Sequence, residues 1–181
     1  LLASHQQFVA ADTRFVDYEI SGNAYSVGAN RMITEDLSLF ARSSQGHAFN
    51  ADRIMFNDFA LDGTALIPIN KVTQTELGTK WRFDTISAFV TCFDARTEET
   101  NYEATTQRFT RRIYIAQGVE LEAAYSNDNI RLNAGITYTD ASIRKAEQPE
   151  LMGHTPRRQA NWMFQLLPSY TLGAIELGAA L

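Results

Sequence analysis

Apolar and polar residues alternate one by one along two arms late in the chain. On the first arm, Arg112 to Ser126, the residues Ile113, Ile115, Val119, Leu121, Ala123 and Tyr125 share one face. Arg112, Gly118, Glu120 and Glu122 share the other. After the turn Asn127-Asp128-Asn129, Ile130, Leu132, Ala134, Ile136 and Tyr138 alternate with Arg131, Asn133, Gly135, Thr137 and Thr139. Such alternation is the mark of a β-strand with two unlike faces. Each arm is about 14 residues, whereas an ordinary soluble strand has about 5–6 and a tilted strand crossing a bilayer about 9–11. The pattern predicts an all-β protein, an antiparallel transmembrane β-barrel.

The same pattern predicts strands over Tyr18 to Ile33, Leu37 to Ser44, Val72 to Phe83, Ile86 to Tyr102 and Arg158 to Leu172, with another starting at Ile175. Tight turns are expected near Glu35, Asp84, Asp128 and Gly173. Longer connections fill Gln45 to Lys71, Glu103 to Thr110 and Arg144 to Thr155. Short turns at one end and long loops at the other is how outer-membrane barrels are arranged, with the turns in the periplasm. A propeller would need four short strands per repeat, and two long ones occupy each interval. A soluble antiparallel sandwich also alternates, but it does not need arms of this length.

Barrel geometry gives the two faces different tasks. Positions facing a large lumen are polar, and positions facing lipid are apolar with aromatic girdles. Glu120, Glu122 and Arg131 fit a wet lumen. Tyr25, Trp81, Tyr125, Tyr138, Trp162 and Tyr170 are the girdle candidates; packing in an ordinary core is the competing reading for each. Between Ile86 and Phe93 the assignment is open, because Phe89 and Phe93 lie opposite Ile86, Ala88 and Val90.

Composition narrows the picture. The chain has 181 residues, 45% hydrophobic and 20% charged, which is ordinary for a single folded domain. A net charge of -5 argues against nucleic acid as a partner, since a phosphate binder needs a basic face. No apolar run is long enough for a transmembrane helix, which does not bear on a barrel. Leu1-Leu2-Ala3-Ser4-His5 has no signal-peptide pattern, and the chain stops at Leu181 within an alternating run, so residues 1–181 are expected to be a fragment of one barrel domain. Cys92 is the one cysteine and can form no disulfide framework.

Catalytic patterns are missing. His5, His47 and His154 are far apart and lack zinc-site spacing. There is no phosphate-binding glycine loop and no nucleophile elbow. Asp94, Glu98 and Glu99 lie close in sequence where a strand runs into a loop, and read as a solvated or cation-binding tip. No enzymatic activity, metal site or cofactor is expected.

Tyr25-Ser-Val-Gly-Ala-Asn30, Leu37-Ser-Leu-Phe-Ala-Arg-Ser-Ser44, Gly46 and Phe49-Asn-Ala-Asp-Arg53 resemble the strand pair and large outer loop of TonB-dependent outer-membrane receptors. Glu76-Leu-Gly-Thr-Lys-Trp-Arg82, Gly118-Val-Glu-Leu-Glu122, Ile136-Thr-Tyr-Thr-Asp-Ala141 and Thr155-Pro-Arg-Arg158 follow in that family's order. The resemblance covers nearly all of Tyr18 to Leu181 and implies the C-terminal part of the receptor barrel. About eight strands are expected here, against about 22 in a plugged transporter barrel. The family's plug, its box for the energy-coupling protein and its final strand are not seen in this sequence.

The resemblance implies active import across the bacterial outer membrane, driven by the inner-membrane TonB complex. An iron-siderophore is the expected substrate, with a carbohydrate or cobalamin-type compound as alternative. The implied partners are outer-membrane lipid and lipopolysaccharide, the TonB protein reached through an N-terminal region, and a small molecule such as an iron chelate. His47, Asn50, Asp52 and Arg53, in the long loop, are the ligand-binding candidates, because an arginine fork matches an anionic chelate. Arg157 and Arg158 are expected at the outer rim, where they would meet lipopolysaccharide phosphates, or else point into the lumen. The rival readings are a small self-contained outer-membrane barrel of structural or adhesive role and a soluble binding sandwich.

Overall fold

The computed structural model describes residues 2–9, 15–49, 69–103 and 108–181. It is built from strands β1 (Leu2–Val9), β2 (Phe15–Gly22), β3 (Tyr25–Met32), β4 (Leu37–Phe49), β5 (Ile69–Phe83), β6 (Ile86–Glu103), β7 (Arg108–Ser126), β8 (Ile130–Lys145), β9 (Trp162–Leu172) and β10 (Ile175–Gly178). Among the described residues the one helical element is a 3-10 turn over Pro149–Leu151. β3 to β10 form a single 8-stranded antiparallel meander in which every strand pairs with its neighbours in sequence. β3 and β10 are its free edges, so the sheet is an unclosed section of wall.

The four tight turns fall where the sequence places them, and each has a chemical cause. Thr34 Oγ1 accepts from the amides of Asp36 (3.3 Å) and Leu37 (3.1 Å), a side chain standing in for backbone. Asp84 takes a positive φ of 49° in the two-residue turn between β5 and β6, the conformation this hairpin requires. Asn127 Oδ1 accepts from Asn129 and Ile130 at 3.0 and 2.7 Å. Gly173 closes the last turn at φ 60°, where no side chain is strained.

Two expectations about strand extent are corrected. The run Tyr18 to Ile33 is not one strand: it breaks at Asn23-Ala24, and β2 pairs with β1 in a separate two-stranded sheet. Gly22 lies against the His47 ring, whose Cγ and Nδ1 would be 3.2 Å from an added Cβ. The expected connection from Glu103 to Thr110 is shortened from both sides, since β6 runs to Glu103 and β7 starts at Arg108. β4 and β5 likewise grow into the Gln45 to Lys71 connection, reaching Phe49 and Ile69. These arms carry polar residues on both faces, so no period-2 hydrophobic signal marks them in the sequence.

Register joins the faces of separate strands. Leu39, Thr79, Val90, Leu121, Ile136 and Phe164 lie in one row across β4 to β9. Phe40, Gly78, Thr91, Glu120, Thr137 and Met163 form the adjoining row on the opposite face. The open assignment at Phe89 and Phe93 is thereby resolved: they lie opposite Glu122 and Gly118, on the polar face. The apolar face is uncovered, with Phe164 70% and Leu77 62% exposed. A soluble sandwich would bury that face against a second sheet. The buried hydrophobics among the described residues, Ile113, Ala141 and Ile143, lie instead near the loop ends of β7 and β8.

Candidate functional site

The polar face is held by paired charges and by aromatic rings set over glycines. Arg42 forks onto Glu76, with Nε 2.7 Å from Oε2 and Nη2 donating to Oε1 at 2.9 Å. Gln74 Nε2 also donates to Glu76 Oε1, at 2.8 Å. Nearer the turns Arg131 Nη1 lies 3.6 Å from Glu176. Lys80 Nζ sits 5.1 Å above the Phe40 ring, a cation–π contact. Phe40 itself covers Gly78, and Phe93 covers Gly118 in the same way. A Cβ on Gly118 would stand 2.5 Å from Phe93 Cζ and 2.2 Å from the Tyr138 carbonyl oxygen. Only glycine lets ring and backbone approach so closely.

Toward the loops the polar face ends in a small cluster. Glu99 lies opposite Arg112 across β6 and β7. Tyr114, one position along the same face, has a phenol that feels the charges of both of them. Burial holds the Tyr114 phenol above its ordinary value; Arg112 pulls the other way and Glu99 adds to the rise. The cluster therefore offers a neutral hydroxyl, a cation and an anion side by side. Ile143, buried, faces Tyr114 from β8. The β8–β9 connection is tied over this region, Ile143 N donating to the His154 carbonyl at 3.0 Å and Thr139 N to that of Asn161 at 2.8 Å.

Of the side chains singled out in the sequence as ligand-binding or rim candidates, His47, Arg157 and Arg158 fall within the described residues. His47 lies opposite Lys71 on the continuation of the apolar face of β4, against Gly22, away from the Glu99–Arg112–Tyr114 cluster. Its Nδ1 is buried and meets no hydrogen-bond partner among the described residues. Asn50, Asp52 and Arg53 lie outside the described residues. Arg157 and Arg158 are exposed in the β8–β9 connection, Arg158 with a φ of 66°. The acidic trio is a correction: Asp94 and Glu98 point to one face and Glu99 to the other. Asp94 accepts from Gln117 Nε2 at 2.6 Å, and Glu98 pairs with Arg96 and Arg111. No group of three or more potential metal ligands occurs among the described residues. Arg112 and Tyr114 were absent from the candidates. Their signal in the sequence was parity alone, Arg112 and Tyr114 sharing a face with Glu120 and Glu122.

The family model for the TonB dependent receptor-like β-barrel matches residues 4–179. The chain belongs to that family. Barrels of this family of transport receptors sit in the outer membrane of Gram-negative bacteria. The chain's backbone is similar to that of the ferric-catecholate import receptor Fiu of E. coli K12, with TM-score 0.65, 20% identity, and coverage of 91% of this chain and 25% of that one. For the ferripyoverdine receptor of the Pseudomonas aeruginosa outer membrane the values are 0.68, 15%, 91% and 23%. For the FrpB iron transporter of Neisseria meningitidis they are 0.63, 15%, 95% and 28%. These likenesses are of fold, and the chain spans about a quarter of each receptor's length. No curated protein matches the chain.

Membership in this family fixes the two faces. The apolar face meets lipid and the polar face meets the lumen. The six girdle candidates all lie on the lipid face. Trp81, Tyr125 and Tyr170 stand at the turn end, and Trp81 stacks with Phe83 at 6.2 Å. Tyr25, Tyr138 and Trp162 stand at the loop end, the last two with ring centroids 4.8 Å apart. Aromatic rings suit both borders because one edge is apolar and the other is wet.

Proposed function

We propose that this chain is the C-terminal wall of an outer-membrane receptor that imports an iron chelate, using energy passed from the inner-membrane TonB complex to a region outside this chain. One observation supports it most: Arg112, Tyr114 and Glu99 stand on the lumenal face of arms that rise above the lipid band. There a guanidinium can take an anionic chelate through paired N–H bonds, and the phenol supplies both a donor and a flat apolar surface. The names of the three structural neighbours, two of them receptors for ferric chelates and one an iron transporter, favour iron over a carbohydrate or cobalamin. Arg53, with His47, Asn50 and Asp52, belongs to the proposed outer contact surface, and Arg157 and Arg158 to the rim.

Uptake of radiolabelled ferric chelates by cells expressing the full-length receptor tests this reading. Uptake is expected to depend on TonB. Arg112→Ala and Arg53→Ala are expected to weaken chelate binding by roughly tenfold each, the loss of one charge-assisted pair. Uptake indifferent to TonB, or no binding of any ferric chelate by the folded receptor, would overturn it.

A further inference from the structure

The lumenal face is divided by charge in its turn-side half. β5 brings Lys80 and Arg82 to it, and β7 brings Glu120 and Glu122. Lys80, Phe89 and Glu122 lie in one row across β5, β6 and β7. Neighbouring strands are about 4.8 Å apart, so the Lys80 and Glu122 backbones are roughly 10 Å from each other. Phe89 stands between them. Lys80 turns the other way, over the Phe40 ring. Arg42 and Glu76 neutralise each other, and among the described residues no carboxylate pairs with Lys80 or Arg82.

The two cations share a hollow of about 260 Å³ at the turn end of the wall, and Asn30, Ser38 and Phe89 line it with them. Arg82 N donates to the Asp36 carbonyl at 2.8 Å, which holds the β3–β4 turn beside the hollow. Glu35 and Asp36 of that turn also line it. An anion seated here meets two cations, an amide and an aromatic ring, and two carboxylates oppose its hold. Binding favourable enough to enter and weak enough to leave is what a transit site needs. Glu120 and Glu122 repel the same anion from the neighbouring sector.

We propose that Lys80 and Arg82 form a second, exit-side seat for an anionic iron chelate, so that cargo leaving the outer site crosses the lumen along β4 and β5 and not along β7 and β8. The arginine fork and the lysine ammonium both favour negative groups. Phe89 offers ring surface to the aromatic groups of a chelate, and it also keeps Lys80 from being neutralised by Glu122. The seat rests on the proposed import of an iron chelate. It adds a site at the periplasmic end of the wall and a preference for cargo of net negative charge.

The test uses cells expressing the full-length receptor, with rates normalised to its heat-modifiable, folded band. The probes are radiolabelled ferric tris-catecholate, which is anionic, and a neutral ferric tris-hydroxamate. Binding in the cold reports the outer site, and initial uptake on warming reports passage. Lys80→Gln/Arg82→Gln is expected to bind the anionic probe as wild type does and to import it roughly tenfold more slowly. Lys80→Arg/Arg82→Lys, which keeps both charges, should recover most of the rate. Glu122→Gln, on the acidic sector, should stay near wild type. A wild-type rate in the glutamine double variant would overturn the exit seat and leave the outer site standing. Equal losses in that variant and in Glu122→Gln would overturn it as well, since any lumenal charge would then serve. Import of the neutral probe alone would also overturn the seat, and import of neither would remove the proposed function with it.

Discussion

The same strands obey two different rules at their two ends. In the turn-side half of β5 to β8 one face is apolar apart from Thr79, and the other carries glycines, aromatics and spaced charges. In the loop-side half polar residues occur on both faces beside the buried Ile113, Ala141 and Ile143, and order comes from these, from Arg96–Glu98–Arg111, from Glu99–Arg112–Tyr114 and from buried Thr100 and Thr110. The backbone ladder is continuous between them, with one register shift in the β7–β8 pairing, at Ile113/Tyr114. What changes is the solvent on the outside of the wall. Lipid demands an apolar surface, and water leaves the choice to local partners.

Four measurements on the full-length receptor would sharpen or break this contrast. The largest effect is expected from Gly118→Val, whose Cβ would stand 2.2 Å from the Tyr138 oxygen. It should abolish the heat-modifiable band, whereas Gly135→Ala, with nothing nearer than 3.8 Å, should leave it intact. If both behave alike, close approach over glycine is not what shapes the wall.

Next is the depth of the lipid band. Val90→Arg, mid-band, should cost about 2–4 kcal/mol in denaturant titration, and Gln117→Arg, at the border, about 0–1 kcal/mol. Equal costs would place the border elsewhere. Smaller still is Arg42→Ala, which frees Glu76 from its fork in a wet lumen. Because Arg42 is half exposed, the loss should be about 1 kcal/mol or less.

The smallest effect is a titration. Arg111 holds the Glu98 carboxyl below its ordinary value of 4.5, with Arg96 assisting against the opposing effect of burial. A carboxylate depressed in the folded state contributes stability above its unfolded pKa and loses it as pH falls through the folded one. The ion pairs of the β6 and β7 arms should therefore weaken only below pH 4.5. Carboxyl NMR of Glu98 should show the low midpoint, and Arg111→Ala should raise it. A midpoint unmoved by that change would remove the arginine from the account.

How much of this the sequence displays follows from the same contrast. All four tight turns were legible, because Thr34, Asp84, Asn127 and Gly173 each act on neighbours within three residues. The lipid faces were legible wherever apolar residues recur at every second position. The loop-side arms were not, since Thr97 to Thr110 shows no apolar stripe and its pairing rests on contacts between distant residues, such as Asn70 Oδ1 accepting from Thr100 N at 3.0 Å. The break at Asn23-Ala24 leaves a trace in the sequence, since apolar residues stand at even positions before it (Tyr18, Ile20) and at odd positions after it (Tyr25, Val27, Ala29). The Arg112–Tyr114–Glu99 cluster needed the register of β6 against β7, which loop position alone does not reveal.

The meander order has a consequence for how such a wall is made. β3 to β10 each bind only the strands next to them in sequence, so a newly arriving segment finds its partner already in place at the growing edge. No strand has to wait for a distant one, and the loop-closure entropy of each step stays that of a single hairpin. A sheet ordered this way can be laid into a membrane in the sequence in which it is synthesised, one hairpin at a time, with its exposed edge always the next docking point.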